Sequence, residues 1–394
     1  MNKFVASGIV MLAVAMGVGR FAYTPMIPVM EHDAGLSVAI AGALATSNLF
    51  GYLVGASFAM HPITHGMRLV IVRWSLVGVV VTTALMAGPE QTWLALRFVT
   101  GICSGFVLVF ASSIVLERAA AEQQPSWPPI FFSGVGLGIA FSGVAVPALA
   151  AYGSSTAWIG IALISAVALA LTLWWFTESA PPASIAEADI DEPLPQHRRV
   201  FLWLCAVYIA EAFVYIIPAT FLVAIIAKIP ELSRYAALTW VFVGLAAAFA
   251  TFGWIPAAMR LGKARSLALA LAIQAVGIAA PVFSHSAFAV ILAGVALGGT
   301  FIAITLFAAG LGRDIFPRRT SAAVSRLTAL YSVGQIAGPI VATQLALRFG
   351  SYQPALLVAS IVAAIATVVT LATIRDATSA GLDRSAPSPS LGRR

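Results

Sequence analysis

Two ionisable side chains stand where an apolar chain can least easily carry them. Arg20 lies within the apolar run 4–30, and Glu211 within 200–227. At about 1.5 Å of rise per residue, Arg20 sits roughly 24 Å along its helix and Glu211 about 17 Å along its own. An ionisable group at that depth in hydrocarbon costs at least about 2.5 to 3.5 kcal/mol, so it normally faces a wet cavity or a partner. Tyr23 and Thr24 follow Arg20 at i+3 and i+4, and Tyr208 and Tyr215 flank Glu211 at i−3 and i+4. Each set therefore shares a helix face. A guanidinium binds a carboxylate in bidentate fashion, and a membrane-embedded carboxylate is the usual element of a proton relay. If both stripes face one cavity, Arg20 and Glu211 could pair when it is empty, and an anion or a proton would break the pair. The competing reading is a static ion pair that orients two helices.

Further polar residues fall inside apolar segments. Asn48, Gln274 and Gln335 are amides suited to substrate contact or to interhelical hydrogen bonds. Arg97 opens the segment RFVTG, about 9 Å from the outer end of its helix. It reads as an outer gate or anion attractor, or as an arginine that snorkels to the interface. Glu117 and Arg118 read as a neighbouring charge pair at the inner end of that helix, and His61 and His65 as loop residues.

The segments that must position these groups set the class of the protein. Of 394 residues, 60% are hydrophobic and only 9% charged, with the charges gathered between apolar runs. Runs of about 20 residues mark a polytopic α-helical membrane protein, whereas a β-barrel would show alternating segments of about 10. The net charge of +7 is spread over many short loops, which excludes a nucleic-acid surface. Cys103 and Cys205 both fall in apolar helices, so neither a disulfide framework nor a metal site is expected. Lys3 followed by an apolar run imitates a signal peptide, but the run continues past the Ala13-Val14-Ala15 site and reads as a first transmembrane helix.

The runs predict twelve helices: 4–30, 36–60, 68–87, 91–117, 128–151, 157–177, 200–227, 235–259, 266–283, 287–311, 322–348 and 354–374. The fold class is all-α. The spans divide into an N-terminal six-helix bundle at 1–177 and a C-terminal one at 200–374, joined by a polar linker at 178–199 and followed by a disordered tail at 375–394. The linker acids Glu178, Glu187, Asp189, Asp191 and Glu192 read as a solvated connector. Basic residues collect on the side of the termini, while Lys228, Arg234 and Arg348 are the ones opposite. Both termini are therefore expected in the cytoplasm.

The halves show traces of an internal repeat. Arg20-Phe21-Ala22-Tyr23 aligns with Glu211 and Phe213-Val214-Tyr215, and Gly101/Gly105 with Gly294/Gly298, at nearly constant offset. Gly51/Gly55, Gly101/Gly105 and Gly134/Gly138 have the spacing of close helix contacts.

Twelve helices in two pseudo-symmetric bundles with a polar central linker resemble the major facilitator superfamily over essentially the whole chain. The stretch Gly17 to Pro28, GVGRFAYTPMIP, resembles the GxGRFxYTPxxP signature of the YbfB/YjiJ-type branch. That resemblance implies a central cavity lined mainly by the first, fourth, seventh and tenth helices and worked by rocking of the two halves. Two motifs depart from the superfamily. Ala59 replaces the acid expected after the second helix, with only Gly66 and Arg68 matching its basic end. In the fifth helix Gly136 and Gly143 are suitably spaced, but Pro147 lacks a preceding glycine, so the antiporter motif does not assign export.

No HExxH, GxSxG, intrahelical carboxylate pair or GxxxxGK[ST] is present, which argues against a membrane enzyme and against ATP as the driving force. No soluble signalling domain accompanies the helices, which disfavours a receptor. The expectation is a cofactor-free, monomeric secondary transporter of the inner membrane for a small organic solute. An organic anion leads, with Glu211 as the proton-coupling group. Export of apolar or cationic compounds is the alternative. The expected substrate contacts are Arg20, Tyr23, Thr24, Asn48, Arg97, Tyr208, Tyr215 and Gln335.

Overall fold

The computed structural model describes residues 2–178, 195–316 and 320–379. Among them, twelve helices are long and apolar enough to cross a membrane, and the chain is a multi-pass membrane protein. They are α1 (Lys3–Ala34), α2 (Val38–Ala59), α3 (Arg68–Leu85), α4 (Glu90–Ala121), α5 (Trp127–Ala150) and α6 (Ser154–Trp175) in the first half. The second half holds α7 (His197–Ala227), α8 (Ser233–Leu261), α9 (Lys263–Phe283), α10 (Ala287–Ile315), α11 (Leu327–Phe349) and α12 (Gln353–Ile374). The sequence boundaries fall within a few residues of these. The linker acids Glu187, Asp189, Asp191 and Glu192, and the tail from residue 380, lie outside the described residues.

The path of α1 is set by a backbone defect at its centre. Ala13–Phe21 is wound as a π-helix, and the α-helix resumes at Tyr23. In an i→i−5 ladder the residue at position 25 would donate to the Arg20 carbonyl. Pro25 has no N–H to give. Inside a bilayer a freed carbonyl must find a partner in the protein, and α4 lines this stretch of α1 with donors. Arg97 donates from Nη1 to the Gly19 carbonyl at 2.9 Å and from Nη2 to the Arg20 carbonyl at 3.4 Å. Ser104 Oγ donates to the Ala15 carbonyl at 2.7 Å. On the other flank α5 crosses so closely that a Cβ on Gly17 would enter the Gly138 backbone. Gly51 and Gly55 of α2 likewise meet the backbone of α4 at Phe98 and Ile102. The glycine spacing thus serves packing.

Contacts between the first and last six helices run through α5 with α8, α2 with α11 and α1 with α7. Thr24 Oγ1 donates to the Ala219 carbonyl at 2.5 Å, Trp240 Nε1 donates to Ser142 Oγ at 3.1 Å, and Lys228 pairs with Glu31 at 3.1 Å. These contacts lie between mid-helix and the end that carries the α1–α2 and α7–α8 connections.

At the end that carries the N-terminus, the missing acid of α2 is replaced from elsewhere. Arg68, 2% exposed, donates from both terminal nitrogens to the Glu117 carboxylate at 2.7 and 2.9 Å. It also bonds Glu178, just beyond α6. This corrects two expectations. Glu117 pairs across to α3 while Arg118 turns to Glu122 at 2.6 Å, one helical turn along, and Glu178 is held by Arg68 where a solvated linker acid was expected. Adjacent residues point about 100° apart on a helix, so Glu117 and Arg118 could not share a face.

Candidate functional site

The site is built around Arg20, which the π-helical turn aims between the two halves. The side chain is 6% exposed. Its Nη2 donates to the Tyr215 hydroxyl of α7 at 2.9 Å. Its guanidinium lies over the rings of Tyr52, at 4.9 Å, and Phe21, at 5.2 Å. Among the described residues Nε has no hydrogen-bond partner and no carboxylate stands within ion-pair distance of Arg20. Gln335 of α11 also donates to the Tyr215 hydroxyl, so α1, α7 and α11 meet on one phenol oxygen. A cavity of about 20 Å³ adjoins this junction, lined by Arg20, Thr24, Asn48, Arg97 and Thr220 among others. That is room for about one water molecule.

Glu211 lies one turn before Tyr215 on α7 and is fully buried. Its Oε1 accepts from Gln274 Nε2 of α9 at 3.1 Å, while Oε2 and the Gln274 carbonyl oxygen have no partner among the described residues. Arg20 and Glu211 do not pair: the arginine is held by Tyr215 and the carboxyl by Gln274. Charged carboxylates buried without a counter-charge are costly, and protonation of Glu211 would let its O–H seek an acceptor such as the orphaned Gln274 oxygen.

An aromatic wall connects the two groups. The Tyr215 ring stacks on Phe301 at 5.6 Å and on Tyr331 at 5.7 Å, and Tyr331 packs on Tyr208 at 4.3 Å. Phe21 closes the far side against Phe301 and Trp240 at 6.5 and 6.3 Å. Such rings offer a large, stiff apolar face.

The remaining predicted site residues divide by role. Arg97 is 3% exposed and does not snorkel; its Nη1 and Nη2 donate to carbonyls of α1, its Nε has no partner among the described residues, and its guanidinium lies 4.6 Å from the Tyr23 ring. Snorkelling fails because Pro25 creates a stronger demand for donors inside. Tyr23 donates to the Ala41 carbonyl at 3.0 Å and Asn48 Nδ2 to the Arg97 carbonyl at 3.0 Å, so both tie helices together. Thr24 bridges the halves at the cavity wall. Tyr52, Tyr331 and Phe301 were missed by the sequence reading. Tyr331 stands four residues before Gln335, and that shared face in an apolar helix was a usable signal. Phe301 is one phenylalanine among 23, and nothing in its spacing marks it.

Comparison with known proteins gives the family and the fold. Residues 12–371 match a family model described as "Uncharacterised MFS-type transporter YbfB". No curated protein sequence matches the chain. Among solved structures, the nucleoside transporter NupG superposes with a TM-score of 0.72 at 13% identity, covering 95% of this chain and 100% of its own. A bacterial homologue of the human lysosomal transporter Spinster, inward-facing and unoccupied, gives 0.68 at 16% identity over 98% and 99%. A D-xylose–proton symporter gives 0.68 at 11% identity over 92% and 97%. At such identities the likeness is one of fold.

Proposed function

Because the chain belongs to the YbfB-type family of major facilitator transporters, we propose that it moves a small organic anion by alternating access, with Arg20 as the anion anchor and Glu211 as the proton-binding group. The observation that carries this reading is Arg20 itself: a buried guanidinium, uncompensated among the described acids, whose partner is a neutral phenol. A carboxylate that displaces Tyr215 would bond Nε and Nη2 together, the bidentate geometry that arginine favours. The wall of Tyr215, Phe301 and Tyr331 would take the apolar body of the solute. Proton coupling lies within the repertoire of the fold, since a D-xylose–proton symporter shares it.

The bias of Lys and Arg toward the loops on the N-terminal side supports cytoplasmic termini in an inner membrane. With the halves joined toward the opposite end, the arrangement is then an inward-facing one. We take the working unit to be the monomer, since both halves of the site come from one chain.

The aromatic wall also suits planar cations, which keeps export of apolar or cationic compounds as the second reading. A thermal-shift screen of purified protein against small metabolites at pH 5.5 and 7.5 separates the two, because a ligand of the folded state raises its stability. Carboxylate hits that change with pH and vanish in Arg20→Gln support the anion reading; hits confined to bulky cations overturn it.

A further inference from the structure

A second hollow lies on the outer face of the first half. It is a groove of about 580 Å³ between α3 and α6, with walls that include Leu76, Val80, Ala166 and Leu169, and with Arg73 and Trp174 at one end. From Arg73 to Val80 it descends about 10 Å, most of one leaflet's share of a hydrocarbon core about 30 Å thick. Trp174 is 67% exposed and Trp74, on the same turn as Arg73, is 71% exposed. Exposed tryptophans mark the headgroup level of a membrane protein, so the groove starts at the interface and runs toward the bilayer centre.

The charge at its mouth is unbalanced. Arg73 has only a long contact, 3.5 Å from Nη2 to the Phe176 carbonyl, and no ion-pair partner among the described residues. Its basic neighbours are arranged differently. Arg68 is matched by Glu117 and Glu178, and Arg118 by Glu122, while Lys3 sits 5.6 Å over the Trp175 ring and likewise has no acid within ion-pair distance among the described residues. A cation without an acid partner, at headgroup level at the mouth of an apolar slot, is the complement of an acyl chain that ends in a phosphate.

We propose that the α3–α6 groove holds one anionic phospholipid, its acyl chain along Leu76 and Val80 and its phosphate on Arg73. This site is separate from the transport path and does not depend on the substrate reading above. A zwitterionic lipid would fill the same walls, but its own ammonium would offset the attraction of the phosphate for Arg73.

The test is native mass spectrometry of the full chain released from detergent, with phosphatidylglycerol and phosphatidylcholine of identical acyl chains added in turn. A basic residue at the surface contributes about 1 kcal/mol toward an anionic lipid, so phosphatidylglycerol should be retained about fivefold better than phosphatidylcholine. Arg73→Gln should abolish that preference, Arg73→Lys should keep most of it, and Val77→Trp, which fills the groove, should lower retention of both lipids. Arg265→Gln, an exposed arginine at the same end of the bundle, should change nothing. Equal retention by the wild type, an undiminished preference in Arg73→Gln, displacement by inorganic phosphate alone, or a dimer that excludes lipid would each overturn the assignment.

Discussion

Arg20→Gln is the substitution on which the transport reading turns, and its effect can be worked from the contacts. Among the described residues the guanidinium makes one hydrogen bond, to Tyr215. A bound carboxylate would accept two charge-assisted bonds and displace that one, a net gain of one bond worth about 1.5 to 3 kcal/mol. Loss of it weakens binding roughly tenfold to 150-fold. In a thermal-shift assay with ligand at about 100 times Kd, the wild type gains about 2.7 kcal/mol, and a hundredfold weaker variant gains only about 0.4 kcal/mol. Lys3→Gln, an exposed change, should leave the shift intact. The unliganded variant should melt no lower than the wild type, because removing an uncompensated buried charge offsets the lost Tyr215 bond. If Arg20→Gln binds the same carboxylate as tightly as Lys3→Gln does, Arg20 is architecture and the anion reading is wrong.

Glu211→Gln should abolish flux driven by a pH gradient in proteoliposomes while substrate exchange remains measurable; unimpaired gradient-driven flux would remove Glu211 from the coupling. Arg97→Leu leaves the Gly19 and Arg20 carbonyls without their donors, at about 1 to 3 kcal/mol for each unsatisfied group, and should lower the melting temperature of the empty protein well below that of Arg20→Gln. Melting equal to the wild type would contradict the role of Arg97 in holding α1. In a background without Cys103 and Cys205, a short thiol cross-link between Glu31→Cys and Lys228→Cys, replacing a 3.1 Å contact between the halves, should block flux but leave ligand binding. Transport by the fully cross-linked protein would refute rocking of the halves. Arg68→Gln leaves two acids facing each other at the terminal end of the bundle; a drop in stability that Glu178→Gln partly restores is the expected outcome, read by the same melting assay.

The helices were legible because a bilayer imposes length and apolarity on each span, and few other folds satisfy both. Arg20 and Glu211 were legible for the same reason, since a charge in such a run stands out. Their partners were not. Hydrogen-bond choice depends on which helices become neighbours and on their rotation, and sequence spacing fixes neither: Gln274 reached Glu211 across 63 positions, and Tyr215 reached Arg20 across 195. Arg97 shows the limit most clearly. Its burial follows from a carbonyl that Pro25 frees 72 positions away, so the proline was visible and its consequence for a different helix was not.

The two buried arginines therefore form one device. Arg97 satisfies the backbone that a proline and a π-helical turn leave open, and that turn is what directs Arg20 toward α7. On α7 the group that receives Arg20, Tyr215, is one helical turn from Glu211. On the proposed reading, an anion that takes Tyr215's place on Arg20 would free the phenol and loosen a junction of α1, α7 and α11. A proton on Glu211 would change what the neighbouring stretch of α7 must satisfy, through Gln274 of α9. Both events would act on α7, which would give anion and proton a common element to bias. Linkage then requires reciprocity: if protonation raises anion affinity by some factor, bound anion must raise proton affinity by the same factor. Proton uptake measured on addition of a carboxylate to wild type, to Arg20→Gln and to Glu211→Gln would show it as a signal present in the first and lost in both variants. Uptake that persists in Glu211→Gln would place the coupling proton elsewhere.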